Sequence, residues 1–381
     1  MRLLHIISSV DQHGGGPIEG IRQRGLFLQN LGHQVEVLSL DDPAQPHVAA
    51  YPLPVHAVGP SWRSFGYNRR ISPWLQQHAR DYDHIIIHGL WRYHGHAASR
   101  TLRGMGVPYH IFTHGMLDPW FKHTYPLKHL KKWPYWLLAE YHVLRHARHV
   151  FFTSEEERLR ARESFYLYKA NEVVVPYGTS PPPTKSEPYK SRFFAANPHL
   201  ADKHLLLYLS RIHPKKGCDI LIEAFAGIAK EHPSVHLLMA GPGDPAVIDA
   251  LKAIATRHGI QERLTWLGMV KGDDKWDAFM AANAFVLPSH QENFGIAVAE
   301  ALGCSLPVLI SNKINIWREI SSDDAGLVEE DTLEGTRANL QKWFSLTKEM
   351  QAKMSVAAKT TFDARYSISS MANGLLTALE K

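Results

Sequence analysis

The chain contains 381 residues, of which 45% are hydrophobic and 21% are charged, and its formal net charge is +5. This composition is typical of a globular protein, and the length fits two domains better than one. The small positive charge gives no reason to predict nucleic-acid binding, and no apolar run approaches the roughly 18 residues of a membrane-spanning helix.

The first half alternates between short strand-like runs and longer helix-like stretches, which is typical of an α/β fold with a parallel sheet. The predicted strands are Leu3–Ser8, Gln34–Leu40, His84–His88, Tyr109–Thr113, His149–Thr153 and Glu172–Val175. The predicted helices are Ile18–Leu31, His94–Arg103 and Tyr135–His146.

The alternation stops at Thr179–Lys190, whose sequence TSPPPTKSEPYK is polar and rich in proline, as linkers are. It then resumes. The predicted strands are His204–Ser210, Val235–Ala240, Leu264–Leu267, Ala284–Pro288 and Val308–Ile310. The predicted helices are Asp219–Lys230, Ala246–His258, Lys275–Ala281, Ile296–Leu302 and a long C-terminal run from Leu333.

We therefore predict two Rossmann-like domains, at residues 1–180 and 196–364, joined by a linker at 181–195. A C-terminal helix at 365–381 is expected to pack back on the first domain. Ligands usually bind in the cleft between two such domains, so we expect the site there.

The first candidate site is Gly14-Gly15-Gly16-Pro17, which lies between the first strand and the first helix. Glycines let the backbone approach a ligand closely, and the helix N-terminus offers free N–H groups to an anion. The cluster is not the GxGxxG fingerprint of dinucleotide-binding proteins. On its own, it fits a flexible loop equally well.

A second candidate follows the first strand of the second half, in the segment Ser210–Gly217. Arg211 and Lys216 place two cations at a strand end that leads into a helix. Such a pair is suited to a diphosphate, although a solvated basic loop would have the same sequence.

The third and most specific candidate is the segment Pro288–Glu300, in which Glu292 and Glu300 are separated by seven residues. In a continuous helix the two carboxylates would lie roughly 12 Å apart. The acid and base of a glycosidase lie closer together, at about 5–10 Å. We interpret the pair as holding two ends of one extended ligand. The bland alternative is a helix cap and an ordinary surface glutamate.

Together these clusters resemble the motifs of the family 4 retaining glycosyltransferases, which have the GT-B fold. The pair Glu292 and Glu300, with Phe294-Gly295 between them, resembles the family's E-x7-E motif. Arg211 and Lys216, followed by Gly217, resemble its R-x4-KG diphosphate site. Weaker matches are Gly14–Gly16, Thr113-His114-Gly115 and Pro176-Tyr177-Gly178.

The resemblance implies a role for each matched residue. Arg211 and Lys216 would neutralise the leaving diphosphate, Glu300 would bind the ribose, and Glu292 would hold hydroxyls of the donor sugar. His114 would lie beside that sugar, which completes the predicted catalytic set. No cofactor is implied, and no metal, because the cations take the metal's place. The predicted donor-binding residues are Gly15, Gly16, Val270, Asn293, Phe294, Gly295 and Glu300.

One stretch departs from the family. After Ile310, many relatives carry a glycine-rich turn, whereas this chain has Ser311–Glu319, in which only Glu319 matches. The implied donor is a UDP- or GDP-sugar, and the implied acceptor is a hydroxyl of a glycan or lipid-linked glycan. A nucleotide-sugar epimerase and a non-catalytic nucleotide-binding protein remain as alternatives. A dehydrogenase is disfavoured because the fingerprint is missing.

The segment Trp120–Tyr141 mixes lysines with tryptophans and tyrosines. Such a mixture suits an anionic membrane surface, but it also suits a helix whose aromatic rings lie in the core. Leu3–Val10 is too short for a signal peptide, and two cysteines give no disulfide framework. We therefore expect a cytoplasmic protein, either free or attached to the inner face of the membrane. His94 and His96 form a two-residue metal pattern that lacks a visible third ligand.

Overall fold

The computed structural model describes residues 1–62, 65–184 and 186–381, with the backbone alone at positions 121 and 123. The chain divides into two compact units. The first unit contains Met1–Gly178 and Ile368–Lys381, and the second contains Thr179–Ser367. Each unit is built around a parallel sheet, as the alternating pattern predicts.

The first unit contains a sheet of order β3-β2-β1-β4-β5-β6-β7 in its described residues, and all neighbouring strands are parallel. The strands are β1 Arg2–Ile7, β2 Gln34–Ser39, β3 Val55–Ala57, β4 His84–His88, β5 His110–Phe112, β6 His149–Phe152 and β7 Glu172–Val174. The helices are α1 Gly16–Asn30, α2 Pro46–Ala49, α3 Ile71–His78, α4 Tyr93–Gly104, α5 Trp120–Thr124, α6 Pro126–Tyr135, α7 Tyr141–Arg145 and α8 Glu155–Ala161.

Both faces of this sheet are covered. Leu4 and Ile6 of β1 belong to one apolar cluster, whereas Leu3 and Ile7 belong to another. Successive side chains of a strand point to opposite faces, so these clusters are the two layers that flank the sheet. This burial explains why the strands read as continuous apolar runs.

The second unit contains a sheet of order β10-β9-β8-β11-β12-β13 in its described part, again with parallel neighbours. The strands are β8 His204–Leu209, β9 Val235–Ala240, β10 Leu264–Gly268, β11 Ala284–Leu287, β12 Val308–Ser311 and β13 Gly326–Glu329. The helices are α9 Glu187–Ala196, α10 Cys218–Glu231, α11 Pro245–Arg257, α12 Gly272–Ala281, α13 Ile296–Gly303, α14 Trp317–Ser322, α15 Leu333–Ser345 and α16 Lys348–Thr361.

The last helix, α17 at Ile368–Leu379, belongs to the first unit although it follows the whole of the second. Leu375 and Leu379 lie in the same apolar cluster as Ile21 and Leu28 of α1. The C-terminal run from Leu333 is therefore three helices and not one, with breaks at Leu346 and Ser367.

Three further predictions differ from the structure. The linker prediction overlaps α9, and Lys185 within it lies outside the described residues. The helix predicted at Tyr135–His146 begins earlier, at Pro126, and runs through Pro134 into a π-helical turn at Trp136–Glu140. Strands β3 and β13 were not predicted. Both are outer strands with half-buried residues, so their apolar signal is weak.

In both sheets the order of the strands reverses beside the first strand, between β1 and β4 and between β8 and β11. Doubly wound folds bind their ligands at the carboxyl ends of the strands near this reversal. The loops after β1, β4, β8 and β11 are therefore where each unit is expected to carry functional side chains.

Candidate functional site

In the second unit, the loop that follows β8 carries both predicted cations. Arg211 is exposed, and no side chain that the structure describes forms an ion pair or hydrogen bond with its guanidinium. Its backbone carbonyl accepts a hydrogen bond from the Tyr208 hydroxyl at 2.9 Å. Lys216 differs sharply, because only 6% of it is exposed. The two cations therefore occupy different environments.

Gly217 explains how this loop reaches α10. Its φ is +65°, and a Cβ atom at this position would lie 2.2 Å from the carbonyl oxygen of Pro288. Only glycine permits both the left-handed backbone and the close approach. The same contact brings the loop after β8 against the loop after β11, where Glu292 lies.

The buried ammonium of Lys216 forms an ion pair with the carboxylate of Glu292. The exposed fractions of the two side chains are 8% and 23%. Taking an ammonium out of water is costly unless it is paired, so this contact is expected to support the loop as well as any ligand. The R-x4-KG and E-x7-E patterns thus meet at one point of the second unit.

The segment that departs from the family holds Glu292 in place. The Glu292 amide donates to the Lys313 carbonyl at 3.0 Å, and the Asn315 amide donates to the Glu292 carbonyl at 3.1 Å. Ile314 between them is fully buried. The sequence did not predict these two backbone hydrogen bonds, because a pattern of side chains does not reveal which backbone groups pair.

Glu300 lies on α13, which begins after Gly295 at a φ of +76°. Its carboxylate accepts a hydrogen bond from Lys275 Nζ at 2.7 Å. Burial raises the pKa of Glu300, and the nearby Lys275 ammonium opposes that rise. Lys275 belongs to no predicted motif and lies on α12. The sequence did not reveal this partner of a predicted site residue.

The turn between the two glutamates is partly closed to solvent. Phe294 is buried and packs its ring at 5.5 Å from that of Tyr366. The Asn315 side-chain amide donates weakly to the Asn293 side chain, at 3.4 Å. Asn293, Phe294 and Gly295 therefore lie just before the N-terminus of α13, where backbone N–H groups attract anions.

Val270 follows β10 in the turn Gly268–Val270, in which Met269 is 59% exposed. The Gly268 carbonyl accepts from the Gly241 amide at 2.7 Å, which ties this turn to the end of β9. The turn, with the predicted donor-binding residue Val270, therefore lies at the same carboxyl edge of the sheet as Arg211.

In the first unit, Gly15 has a φ of +90° and precedes α1, which begins at Gly16. A Cβ atom on Gly15 would meet nothing within 4 Å, so the glycine is needed for its backbone angle only. The Tyr177 hydroxyl donates to the Gly16 carbonyl. This contact connects two of the weaker family matches within one unit.

His114 follows β5 and has an unusual backbone, with a φ of +50°. The buried carboxylate of Glu157 on α8 holds this turn from both sides of the histidine. It accepts from the Thr113 hydroxyl at 2.7 Å and from the Gly115 amide at 2.6 Å. The strained turn is therefore fixed by Glu157, another residue that no motif reveals.

Within each unit, the structure brings the predicted residues to one edge of the sheet. In the second unit these are Arg211, Lys216, Val270, Asn293, Phe294, Gly295, Glu292 and Glu300. In the first unit these are Gly15, Gly16 and His114.

His94 of the histidine pair is explained by packing. His94 is buried, and its Nε2–H donates to the His88 carbonyl at 2.8 Å. Among the described residues, no three His, Cys, Asp or Glu side chains group as metal ligands would.

Comparison with known families now gives these positions a context. The model described as "Glycosyl transferases group 1" matches residues 190–361, and the model described as "Glycosyl transferase 4-like domain" matches residues 15–178. The chain belongs to the family 4 glycosyltransferases. The two matched regions together cover most of both units and include the predicted catalytic and donor-binding residues.

Individual relatives are similar over shorter stretches. The gpi3 subunit of phosphatidylinositol N-acetylglucosaminyltransferase from Schizosaccharomyces pombe is 35% identical over 123 residues, covering 32% of this chain and 26% of its own. D-inositol 3-phosphate glycosyltransferase from Rhodococcus opacus is 30% identical over 179 residues, covering 45% and 40%. The matches thus span less than half of these relatives.

Solved structures support the GT-B fold over the full chain. The Anabaena protein HepE, in complex with UDP and glucose, superposes with a TM-score of 0.74 at 17% identity and covers 100% of both chains. Sucrose-phosphate synthase from Thermosynechococcus elongatus gives 0.76 at 19% identity and covers 100% of this chain and 98% of its own. These likenesses establish the GT-B fold.

Proposed function

We propose that this glycosyltransferase takes its sugar from a UDP- or GDP-sugar and transfers it to a hydroxyl of a glycan or lipid-linked glycan. The observation that carries the proposal is the meeting of Lys216 with Glu292 beside the N-terminus of α13. Cations and helix N–H groups suit a diphosphate, and carboxylates suit sugar and ribose hydroxyls. A nucleotide sugar supplies all three groups in one molecule.

In this proposal each residue acts on the charge that develops as the bond breaks. Arg211 and Lys216 stabilise the departing diphosphate without a metal ion. Glu292 holds hydroxyls of the donor sugar, and Glu300 holds the ribose. His114 in the first unit contacts the transferred sugar, and the glycine loop offers its N–H groups to phosphate or sugar oxygens.

We propose that the reaction retains the configuration of the donor. An inverting enzyme needs a general base opposite the leaving group, and a double displacement needs a carboxylate at the anomeric carbon. Glu292 is committed to Lys216 and to hydroxyls in this scheme. The remaining route is same-face substitution: the bond from the anomeric carbon to phosphate oxygen breaks, the acceptor oxygen bonds to that carbon, and the departing phosphate takes the acceptor's proton.

The first experiment screens nucleotide sugars by thermal shift and then measures nucleoside diphosphate release with and without acceptor glycans. Release that requires an acceptor supports transfer, and release without one supports the epimerase alternative. An absence of turnover with every donor that binds would support a non-catalytic binding protein.

The second experiment measures the anomeric coupling of the product by proton NMR. An α-linked product from an α-linked donor is expected. A β-linked product would reject retention. Glu292→Gln keeps the shape of the side chain and removes its charge, so it should slow transfer strongly while nucleoside diphosphate still binds. Unchanged transfer by this variant would contradict the role given to Glu292.

We also propose that α6 attaches the first unit to an anionic membrane surface. Leu127 and Leu130 are 75% and 63% exposed, and Lys128 and Lys131 are exposed on the same helix. Exposed leucines beside lysines are typical of an interfacial helix. Trp136 is fully buried against Phe165, so this aromatic ring of the segment packs in the core. No described helix has the length and apolarity needed to cross a membrane.

Co-sedimentation with vesicles tests this attachment. The protein should sediment with phosphatidylglycerol vesicles and be released by high salt, because salt screens the lysine charges. Lys128→Gln with Lys131→Gln should weaken binding, whereas the control pair Lys348→Gln and Lys353→Gln on α16 should not. Equal recovery in the supernatant with and without vesicles would leave α6 as an ordinary surface helix.

A further inference from the structure

Three histidines from neighbouring strands of the first unit form a buried chain that ends at His114. His5 lies within β1, His88 ends β4, and His114 follows β5. His5 Nδ1 lies 2.8 Å from His88 Nε2, and His88 Nδ1 lies 2.9 Å from His114 Nε2. His5 and His88 are 0% and 2% exposed. Both nitrogens of the middle ring are therefore occupied by the other two.

The protons in this chain can be counted. Burial lowers the pKa of His5 and of His114 to about 3, with a further contribution from Arg24, and lowers that of His88 well below its usual value. All three rings are therefore neutral at neutral pH, and each carries one proton. Two protons fill the two hydrogen bonds, and the third sits at one end.

The two ends of the chain differ. At the inner end, His5 Nε2 is buried and has no hydrogen-bond partner. The nearby Arg24 is only 1% exposed, and its Nε and Nη1 atoms also lack partners. A proton on His5 Nε2 would be an unsatisfied buried donor close to a positive charge. A lone pair there is electrostatically preferable.

At the outer end, His114 is partly exposed, and its Nδ1 forms no hydrogen bond within the part of the chain that the structure describes. When the lone pair is at His5 Nε2, the three protons have only one arrangement. His5 Nδ1–H donates to His88 Nε2, His88 Nδ1–H donates to His114 Nε2, and the third proton is on His114 Nδ1. Glu157 binds the Thr113 hydroxyl and the Gly115 amide on either side of His114, and the His114 ring stacks on those of His88 and Phe112, so the ring is held in its place in the chain.

We propose that His5 and His88 are positioning residues that hold His114 in its neutral Nδ1–H form, so that it acts as a hydrogen-bond donor to an oxygen of the ligand. A donor of this kind does not remove the acceptor's proton, which agrees with a mechanism in which the leaving phosphate does. This inference deepens the proposed function and rests on it for one point, namely that His114 faces the sugar.

Nitrogen-15 NMR of histidine-labelled full-length protein tests the tautomer without any substrate. A difference spectrum against His114→Gln assigns the His114 resonances. We expect a protonated Nδ1 and an unprotonated Nε2 at neutral pH. A protonated Nε2, or a doubly protonated ring, would overturn the proposal. This result does not depend on turnover, so it stands even if the proposed donor fails.

Substitutions test whether the chain sets this state. His88→Phe keeps an aromatic ring beside Phe112 but breaks both hydrogen bonds, so His114 should become a mixture of tautomers. His5→Asn keeps an N–H near the position of Nδ1 and should preserve the wild-type spectrum, whereas His5→Leu should not. If His88→Phe fails to fold, the two His5 variants carry the test. An unaltered His114 in His5→Leu would contradict the assignment.

Kinetics separate positioning from packing. His88→Phe should lower kcat by about tenfold, the value of one hydrogen bond, while the Kd for nucleoside diphosphate stays unchanged. His114→Asn, which keeps a donor near Nδ1, should retain more activity than His114→Ala. Equal activity of these two variants would contradict the donor role of His114.

Discussion

Replacing Arg211 or Lys216 with methionine removes one positive charge from the same loop, yet the two substitutions should differ in their effect on folding. Both cations are proposed to meet the diphosphate, and a hydrogen bond to a charged group contributes about 1.5–3 kcal/mol. Each substitution should therefore weaken the binding of UDP or GDP by roughly 10- to 150-fold. Isothermal titration calorimetry measures this loss.

The two substitutions should differ in their effect on stability because only Lys216 has an ion-pair partner in the described part of the chain that would remain unpaired. Arg211 is exposed, so its removal should change the free energy of unfolding by less than about 0.5 kcal/mol. Lys216 is paired with Glu292. Breaking a buried pair costs about 3–5 kcal/mol, and because 23% of the Glu292 side chain reaches solvent we expect about 1–3 kcal/mol. The melting temperature should fall by about 2–4 °C for each kcal/mol.

The double variant Lys216→Met with Glu292→Gln completes the cycle. It removes the unpaired carboxylate and should regain at least half of the stability lost by Lys216→Met alone. Arg257→Met is a matched control, since it breaks a more exposed pair, with Glu223, in which neither partner is a predicted site residue. The reasoning is refuted if Arg211→Met is as destabilising as Lys216→Met, or if the double variant is the less stable of the two Lys216 variants.

Three other outcomes can be checked directly. Transfer should survive excess EDTA, and a loss that magnesium or manganese restores would contradict the metal-free proposal. Burial raises the pKa of Glu140 from 4.5 to about 7, so the contribution of this group to stability is greatest below pH 4.5 and should be lost as the pH rises from there to about 7. Glu140→Gln should remove this dependence, as measured by thermal unfolding at several pH values. Gly217→Ala should destabilise the protein more than Gly259→Ala. Both glycines have similar positive φ angles, but of the two only Gly217 would place a Cβ atom against backbone, at the Pro288 carbonyl. Equal losses in melting temperature would show that the backbone angle alone matters.

The sequence predicted the parts of the fold whose burial leaves a clear pattern. Strands β1, β4 and β9 are covered on both faces, and their apolar runs were located to within a residue or two. Strands β3 and β13 each have a neighbouring strand on one side only, and they contain too few apolar residues for the sequence to predict a strand. Helix α17 belongs to the first unit because it packs against α1, and more than 300 residues of chain separate these two helices.

The candidate site likewise contains residues that the sequence predicted and residues that it did not. Arg211, Lys216, Glu292 and Glu300 could be predicted as site residues because their spacing in the sequence is local. Lys275 and Glu157 were missed because each acts on a partner brought near only by the fold, at 2.7 Å from Glu300 and at 2.6 Å from the Gly115 amide. Single residues of this kind leave no spacing to recognise. The same holds for His5 and His88, which read as ordinary strand residues.

The pairing of charges in the second unit suggests how recognition of the two halves of a donor is coupled. Lys216 and Lys275 are already paired, with Glu292 and Glu300 respectively. A diphosphate that recruits Lys216 weakens the hold of Lys216 on Glu292, and a partly buried carboxylate without a donor is costly. Sugar hydroxyls can supply the missing donors, whereas a bare nucleoside diphosphate cannot. Under the proposed function, the ion pair therefore favours the intact nucleotide sugar over the product that remains after transfer, which assists product release.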